Sequence, residues 1–117
     1  MRLLSASDFS RVFEKPRKST DKAFTVLGRS NRLGEARLGL AIAKKHVKLA
    51  VDRNRIKRVI RESFRHHRQL IEGLDLIVLA KAGTAGLTNK QLFSSLESHW
   101  KRLAETKSTS FRTDTSY

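Results

Sequence analysis

The chain contains no cysteine and only one proline, one tryptophan and one tyrosine. Without cysteine it cannot form a disulfide, a thiolate nucleophile or a cysteine-based zinc site, so its stability must come from packing. Acidic residues are scarce as well, since eleven Asp and Glu face twenty-five Lys and Arg, a net charge of +14. So much positive charge is typical of a protein whose partner is a polyanion, and nucleic acid is the first candidate.

Long apolar runs are also missing. The longest, Leu76 to Ala80, is far too short to span a bilayer, so binding to an anionic membrane would need an amphipathic anchor. The start of the chain turns polar at Ser5 and lacks the apolar stretch and cleavage site of a secretion signal. The sequence therefore predicts a cytoplasmic protein without a membrane partner. Its size favours one domain, over residues 1–106, followed by a flexible tail over residues 107–117.

The usual signatures of a protein catalytic site are absent too. His66 and His67 are adjacent while His46 and His99 are isolated, so no metal-ligand spacing appears and all four are interpreted as helix-surface residues. No motif pairs two carboxylates for phosphodiester cleavage with two metal ions. No phosphate-binding glycine loop and no Ser-His-Asp pattern stands out. We therefore expect neither a catalytic residue nor a metal ligand in the chain.

Hydrophobic periodicity predicts an α/β fold of the α+β type. Apolar residues recur at helical spacing in three segments and at strand spacing in three others. The order helix, strand, strand, helix, strand, helix implies a small sheet backed by helices, with a crossover between the last two strands. In chain order the predicted elements are a helix that ends before Pro16, a basic connection over 15–22, a strand over 23–27, a turn over 28–34, a strand over 37–43, a helix over 50–68, a strand over 74–80 and a last helix over 88–103.

Local motifs mark three of these elements. Ser5 or Ser7 can cap the first helix, and Thr88 and Gln91 have the spacing of a capping box. The strand over 37–43 alternates large with small residues, so one of its faces suits a core and the other is unusually flat. The flat face consists of Gly39, Ala41 and Ala43.

The segment from Lys44 to Arg68 carries more than half of the net charge. It contains ten cations and two acids, Asp52 and Glu62, a net charge of +8. On a helix of about 100° per residue, four polar residues of this segment form a row within an arc of roughly 60°. The row lies on the side opposite Ile56 and Ile60. Asp52 or the nearby backbone can cap the helix start. The row consists of Asn54, Arg58, Arg61 and Arg65.

A row of like charges opposes helix formation, so a merely solvated face is a poor explanation for it. Something anionic should neutralise the row. Arginine pairs with phosphate at two points and stacks on bases, which favours structured RNA over a diffuse membrane charge.

The ordered string over residues 36–62, ARLGLAIAKKHVKLAVDRNRIKRVIRE, resembles the signature of the bacterial ribonuclease P protein component, centred on its Arg-Asn-Arg motif. The resemblance extends from Asp8 to about Leu103. It implies a two-layer α/β sandwich whose second helix lies in an uncommon left-handed crossover. One departure is Lys81, where the family often has arginine followed by proline.

The resemblance also implies the partners. These are the catalytic ribonuclease P RNA, bound one to one and using Mg²⁺ for the chemistry, and precursor tRNA, whose 5′ leader is removed. No cofactor is expected on the protein alone. Carried over by position, the residues that face the ribonuclease P RNA are Lys44, Lys45, Lys48, Arg53, Asn54, Arg55, Lys57, Arg58, Arg61 and Arg65.

A second site is expected between the first helix and the sheet. Any one phenylalanine is best interpreted as core, yet aromatics beside a flat strand could wall a groove for an unpaired strand. Similar proteins receive the tRNA leader in such a cleft. The hypothesis assigns to the leader Phe9, Arg11, Phe13, Lys15, Arg17, Lys18 and Phe24.

Two alternatives stay open at this point. A structural RNA-binding protein, such as a ribosomal protein, would have the same charge and fold, and the copurifying RNA would distinguish it. A protein-only nuclease would cleave RNA with Mg²⁺ and no RNA subunit.

Overall fold

The computed structural model describes the backbone of residues 2–115 and the side chains of residues 3–105. Eight helices and strands follow one another in this part of the chain, with a single 3-10 turn, Thr84–Gly86, between the last strand and the last helix. The elements are β1 (Arg2–Leu3), α1 (Ala6–Glu14), β2 (Arg17–Thr20), β3 (Phe24–Ser30), β4 (Arg37–Ala41), α2 (Ala50–His66), β5 (Leu74–Ala80) and α3 (Asn89–Thr115).

The five strands form one mixed sheet in the order β1-β4-β5-β3-β2. β4 pairs with β5 in parallel, with Leu38 beside Leu76, and α2 connects the two strands. The predicted crossover between two parallel neighbouring strands is therefore confirmed. The left-handedness of this crossover stays a prediction. β3 runs antiparallel to both β5 and β2.

The period of two along each strand gives the sheet two different faces. One face packs with α2 and α3 in the main core, which contains Leu76, Val78 and Trp100. The intervening residue Ile77 points to the other face, where it forms a small cluster with Val12 of α1. Two helices thus cover one face, and the short α1 covers only part of the other. The predicted small sheet with packed helices is confirmed.

The helix caps follow the sequence motifs at two of three starts. Ser5 and Asp8 form a complete capping box, and Thr88 and Gln91 form another. The prediction for α2 is wrong in part, because Leu49 is its N-cap residue and no side chain, Asp52 included, caps it.

The predicted connection over 15–22 contains a strand, β2, that the sequence analysis missed. β2 lies at the edge of the sheet, and among its residues only Ser19 is buried. An edge strand with so little apolar surface has no hydrophobic signal to detect.

Four predicted boundaries are also wrong. β3 extends to Ser30, into the predicted turn, because its last residues pair with β5. β4 ends at Ala41 where its pairing with β5 stops, and α2 ends at His66. α3 continues past the predicted end at Leu103 to Thr115. The side chains of the predicted flexible tail over 107–117 lie outside the described residues, and its flexibility stays a prediction.

Candidate nucleic-acid interface

α2 has one buried face and one basic face, as the sequence predicts. Ile56, Ile60 and Phe64 have no exposed surface and belong to the main core. The opposite face opens onto solvent as a shallow basin of about 490 Å³. The residues that line this basin are Asn54, Lys57, Arg58, Arg61, Glu62 and Arg65.

Three arginines of this basin are available to a partner. Arg58, Arg61 and Arg65 are exposed. No hydrogen bond or ion pair joins them to any of the side chains described over residues 3–105. A guanidinium without an internal partner keeps its whole fork of donors for a phosphate or a base. The structure therefore brings together the row that the sequence predicts.

The positive surface continues along the segment between β4 and α2. Lys44, Lys45 and Lys48 are exposed there, within a turn in which the N–H of Val47 donates to the carbonyl of Ala43. This segment separates the basin from a second concavity on the other side of the fold, and Lys45 belongs to that second concavity.

The second concavity is an open depression of about 660 Å³ on the sheet face that α1 covers only in part. Its floor is the cross-strand row of Thr25, Leu79 and Ala41, one residue from each of three adjacent strands. The small side chains of Thr25 and Ala41 leave space above the sheet, and lysines surround this space. The full lining is Lys18, Thr25, Ala41, Ile42, Ala43, Lys45, His46, Leu79, Ala80, Lys81 and Ala82.

Phe9 of α1 packs beside the floor of this depression, although neither Phe9 nor Phe13 belongs to its lining. Phe9 packs in the same small cluster as Ala41 and Leu79, which form the floor. The rings of Phe9 and Phe13 stack with their centroids 6.4 Å apart, and the Phe13 side chain is 48% exposed. Phe9 therefore lies beside the flat strand, and the groove walled by both rings stays a prediction.

Two residues assigned to the leader from the sequence occupy other places. Phe24 is fully buried in the main core, because it alternates along β3 with Thr25, which lines the depression on the opposite face of the sheet. Arg11 forms an ion pair with the buried Asp75. Both assignments are corrected. Lys18 does line the depression, whereas Lys15 and Arg17 are exposed outside its lining.

Three polar lining residues were missed by the sequence analysis. Lys81 was noted only as a departure from a family pattern, His46 was interpreted as a helix-surface residue, and Thr25 was placed in a strand without a role. Strand register is what places Thr25 in this lining, because Thr25 pairs with Leu79 and Leu79 pairs with Ala41. Strand pairing of that kind cannot be read from the sequence without the sheet order.

Comparison with known proteins places the chain in a family. The profile of the family described as Ribonuclease P matches residues 1–104. Over 102 residues the chain is 49% identical to a ribonuclease P protein component from Yersinia enterocolitica, a match that covers 87% of this chain and 86% of that protein. The chain belongs to the ribonuclease P protein family.

Solved structures of this family share the fold. A ribonuclease P protein from Staphylococcus aureus is 36% identical with a TM-score of 0.78, and the match covers 88% of this chain and 94% of that one. The ribonuclease P protein from Thermotoga maritima is 28% identical with a TM-score of 0.77, covering 87% and 96%. The predicted fold class and family are confirmed, and the ribosomal-protein alternative is set aside. The chain is a protein subunit of ribonuclease P in tRNA 5′ processing.

The family motif Arg-Asn-Arg stands at the start of α2, and both of its arginines are half-buried and donate to acceptors in the protein. Arg53 Nη1 donates to the carbonyl oxygens of Val47 and Lys48, at 2.9 Å and 2.8 Å. Arg55 donates to the carbonyl oxygens of Leu87 and Ala85 and to Asn89 Oδ1. Each guanidinium group keeps further N–H donors beside these bonds, so the prediction that both side chains face the ribonuclease P RNA stays a prediction.

A buried carboxylate fixes α1 on the sheet of this ribonuclease P protein. Asp75 has no exposed surface and accepts from Arg37 Nε and Nη2 at 2.8 Å, from Asn31 at 2.8 Å and from Arg11 of α1. Arg37 also pairs with Asp8, again on α1. Burial alone would raise the pKa of Asp75, but the hydrogen bonds from Arg37 and Asn31 lower it, so the group stays ionised.

The structure brings Ser19, His99 and Asp21 together in a Ser-His-Asp order that the sequence did not reveal. Ser19 Oγ lies 2.6 Å from His99 Nδ1, and His99 Nε2 lies 3.2 Å from Asp21 Oδ2 without the angle of a hydrogen bond. His99 has no exposed surface and Ser19 has 4%, so no substrate can reach the hydroxyl. The arrangement ties β2 to α3, and the interpretation of His99 as a surface residue is wrong.

The same buried group shifts two pKa values. Burial lowers the pKa of His99, and the charge of Asp21 only partly opposes it. Burial would raise the pKa of Asp21, but hydrogen bonds from Ser95, Phe24 and Ala23 lower it to about 2. At neutral pH the pair is therefore a neutral imidazole beside a carboxylate.

The part of the chain that the structure describes contains neither a cluster of metal-ligating side chains nor a membrane-spanning helix. No three His, Asp or Glu side chains come together there in a way that could hold a metal ion. No helix there has both the length and the apolar surface needed to cross a membrane.

Proposed function

We propose that the exposed face of α2 binds the ribonuclease P RNA and that the depression on the opposite sheet face holds the single-stranded 5′ leader of precursor tRNA. The observation that carries the first assignment is the row of Arg58, Arg61 and Arg65. These three guanidinium groups are exposed, unpaired among the described side chains and fixed on a helix whose other side is core. Such a surface suits the phosphates of a folded RNA. Lys44, Lys45, Lys48, Asn54 and Lys57 extend it.

The depression suits an unpaired strand for different reasons. Its floor is mostly apolar, Phe9 packs beside that floor with Phe13 stacked on it, and lysines surround the depression. Aromatic rings accept any base by stacking, and lysines neutralise the backbone without reading sequence. We therefore assign the leader to Phe9, Phe13, Lys18 and Lys81, with Lys45 between the two surfaces. Lys15 and Arg17 would meet the leader where it leaves the depression.

The proposed role is that of an accessory subunit. Both concavities are binding surfaces, and the buried Ser19 and His99 cannot act on a substrate. We place the catalytic step in the RNA subunit, with Mg²⁺ bound by RNA phosphates, and one protein per RNA in the cytoplasm. The protein would raise substrate affinity because the leader makes a second contact within one complex.

Leader truncation tests the second assignment. The affinity of the reconstituted enzyme for precursor tRNA is compared with that of the RNA subunit alone, for substrates with a long leader and with none. The protein should improve binding of the long-leader substrate only. An equal effect on both substrates would exclude the depression as the leader site and leave the α2 interface intact.

A second measurement tests where catalysis takes place. The purified chain with Mg²⁺ and no RNA subunit should leave precursor tRNA uncut, whereas the reconstituted complex should release the leader. Cleavage by the chain alone would favour the protein-only nuclease instead.

A further inference from the structure

Among the residues that the structure describes, Glu62 is the one acid that lines the basic basin on α2. Its side chain is exposed and lies on the same open surface as the row of Arg58, Arg61 and Arg65. A carboxylate at this place would repel the phosphates that the arginines attract, and so weaken binding to RNA. A surface that met phosphates alone would therefore gain nothing from an acid here.

The simplest role for Glu62 would be an ion pair that supports the helix. Arg58 stands four residues before it, and Arg65 and His66 stand three and four residues after it, so all three are its neighbours on the helix surface. None of them forms an ion pair with the carboxylate, and no hydrogen bond joins Glu62 to another side chain over residues 3–105. Within that part of the chain, both carboxylate oxygens are open to a ligand.

The charge around Glu62 decides which kind of ligand suits it. Lys57, Arg58, Arg61 and Arg65 line the same basin. A divalent cation would meet four positive groups against one carboxylate, and basic side chains displace cations from bound RNA. A neutral hydrogen-bond donor is not repelled in this way. In RNA such donors belong to the bases and the ribose hydroxyls, because the phosphates only accept.

Guanine matches a carboxylate better than the other bases do. Its Watson–Crick edge presents two adjacent donors, the ring N1–H and the N2 amino group, and a carboxylate presents two acceptor oxygens side by side. The two groups can form a pair of parallel hydrogen bonds. Adenine and cytosine present one amino donor beside an acceptor, and uracil presents a single N–H between two acceptors. Unpaired bases of a folded RNA expose this edge.

We propose that Glu62 recognises an unpaired guanine of the ribonuclease P RNA, as a specificity-determining residue in an interface whose arginines bind phosphates. The proposal rests on the proposed function, since it takes the exposed face of α2 as the RNA interface. Phosphate contacts position a protein on RNA but carry no sequence information, so arginines alone would accept many folded RNAs. Ser63 and Phe64, the next residues, are buried, which fixes the backbone from which the carboxylate extends.

The experiment measures binding of the whole chain to ribonuclease P RNA for the wild type, E62A, E62Q and the control E105A. Glu105 is an exposed acid of α3 outside the basin, so E105A removes the same charge from another surface. Each protein is titrated at several salt concentrations, and its melting temperature is measured.

The same binding reaction is repeated with altered RNA. A small random fraction of the guanosines is replaced by inosine, which lacks the N2 amino group. In a second preparation the replacement is 7-deazaguanosine, which keeps the Watson–Crick edge and lacks N7. Bound and unbound RNA are then compared position by position, which shows where each replacement interferes with binding of each protein.

E62A should weaken RNA binding by about tenfold, the loss of one bidentate base contact, although removal of a negative charge would by itself strengthen binding. E62Q should lose a similar amount, because its amide places a donor against a donor of the base. E105A should bind at least as tightly as the wild type. Inosine at one guanosine position should weaken binding of the wild type and have no effect on E62A. At that position 7-deazaguanosine should have no effect on either protein.

Two results would overturn the proposal. Unchanged or tighter binding by both E62A and E62Q would show that the carboxylate makes no favourable contact with the RNA. Weaker binding by both, without an inosine position that depends on Glu62, would show that the carboxylate meets something other than guanine, such as an Mg²⁺ ion. Should E62A fold poorly, E62Q decides the question, because it keeps the size of the side chain.

R61A separates this failure from a failure of the proposed function. Loss of a phosphate contact should make the salt slope of R61A shallower than that of the wild type. If R61A kept the wild-type slope, the RNA interface on α2 itself would be wrong. If R61A lost slope while the Glu62 variants bound normally, the interface would stand and only the guanine contact would be excluded.

Discussion

The ring of Phe9 lies directly on Gly39. A Cβ added to Gly39 would stand 2.5 Å from Phe9 Cζ and 2.9 Å from Cε2, closer than real carbon atoms approach. Glycine is therefore required at this position by the distance between α1 and β4. Since Phe9 also packs beside Ala41 and Leu79 at the edge of the depression, this contact sets how near α1 stands to the proposed leader site.

Gly39→Ala should lower the free energy of unfolding by about 1–3 kcal/mol, the usual cost of an overpacked site. The ring of Phe9 would have to move, and leader-dependent affinity should fall with it. A double-mutant cycle measures the effect by denaturant unfolding of the wild type, Gly39→Ala, Phe9→Ala and the double variant. In the Phe9→Ala background the added methyl group has room, so Gly39→Ala should then cost almost nothing. Equal costs in both backgrounds would refute the contact.

Arg61→Ala should weaken binding to ribonuclease P RNA by about tenfold and reduce the log-log salt slope by about 0.7 to 0.9, the loss of one phosphate contact. Titrations at several salt concentrations measure both quantities. Lys101→Ala is the matched control, because it removes one exposed charge from α3 instead of α2. Stability should be unchanged for both. An identical salt slope for Arg61→Ala and wild type would remove Arg61 from the interface.

Asp75→Asn should cost about 3 kcal/mol of stability, because it removes the anion from a buried cluster and leaves the positive charge of Arg37 without its main partner. Arg37 is only 13% exposed in its side chain, so water cannot replace the carboxylate. Thermal unfolding measures the loss. Glu14→Gln is the control, since its pair with Arg29 is 3.8 Å long and Glu14 is 75% exposed. Comparable melting temperatures for the two variants would contradict the role given to Asp75.

Much of this architecture could be predicted because the relevant signals are local. The helical period of α2, the apolar run of β5 and the capping box at Thr88 each lie within a few residues of sequence, and each appears in the structure. The row of Arg58, Arg61 and Arg65 follows from the same helical period. Local periodicity therefore gave the fold class and the basic face of α2.

The rest depends on pairings between distant residues. β2 escaped detection because its one buried side chain, Ser19, is polar and meets His99 eighty positions further along the chain. Phe24 was assigned to the leader because the sequence does not show which face of β3 packs on α2 and α3 and which one borders the depression. The internal hydrogen bonds of Arg55 depend on carbonyl groups of the turn after β5. None of these relationships has a signal within one segment.

Lys81→Ala should reduce the affinity gained from the tRNA leader by several-fold, with binding to ribonuclease P RNA unchanged, because Lys81 lines the depression and is absent from the basin on α2. Comparison of long-leader and leaderless substrates isolates the effect. Lys22→Ala is the control, since Lys22 is an exposed cation outside the lining. Lys81→Arg should retain the gain. A loss that is equal with and without the leader would mean that Lys81 acts elsewhere.

His99 should make the protein less stable in mild acid. Burial holds the pKa of folded His99 below the ordinary value of 6.5, with the charges of Arg102 and Lys81 lowering it further. The unfolded chain therefore takes up a proton first, so the stability contributed by neutral His99 is complete above about pH 6.5 and declines as the pH falls below it. Denaturant unfolding at about pH 7.5 and about pH 5.5 should show lower stability at the lower pH. His99→Gln should lower the stability at both pH values and reduce the difference between them. His66→Gln, at an exposed position, should preserve the wild-type difference. A His99→Gln protein with the full wild-type pH dependence would show that another group titrates in this window.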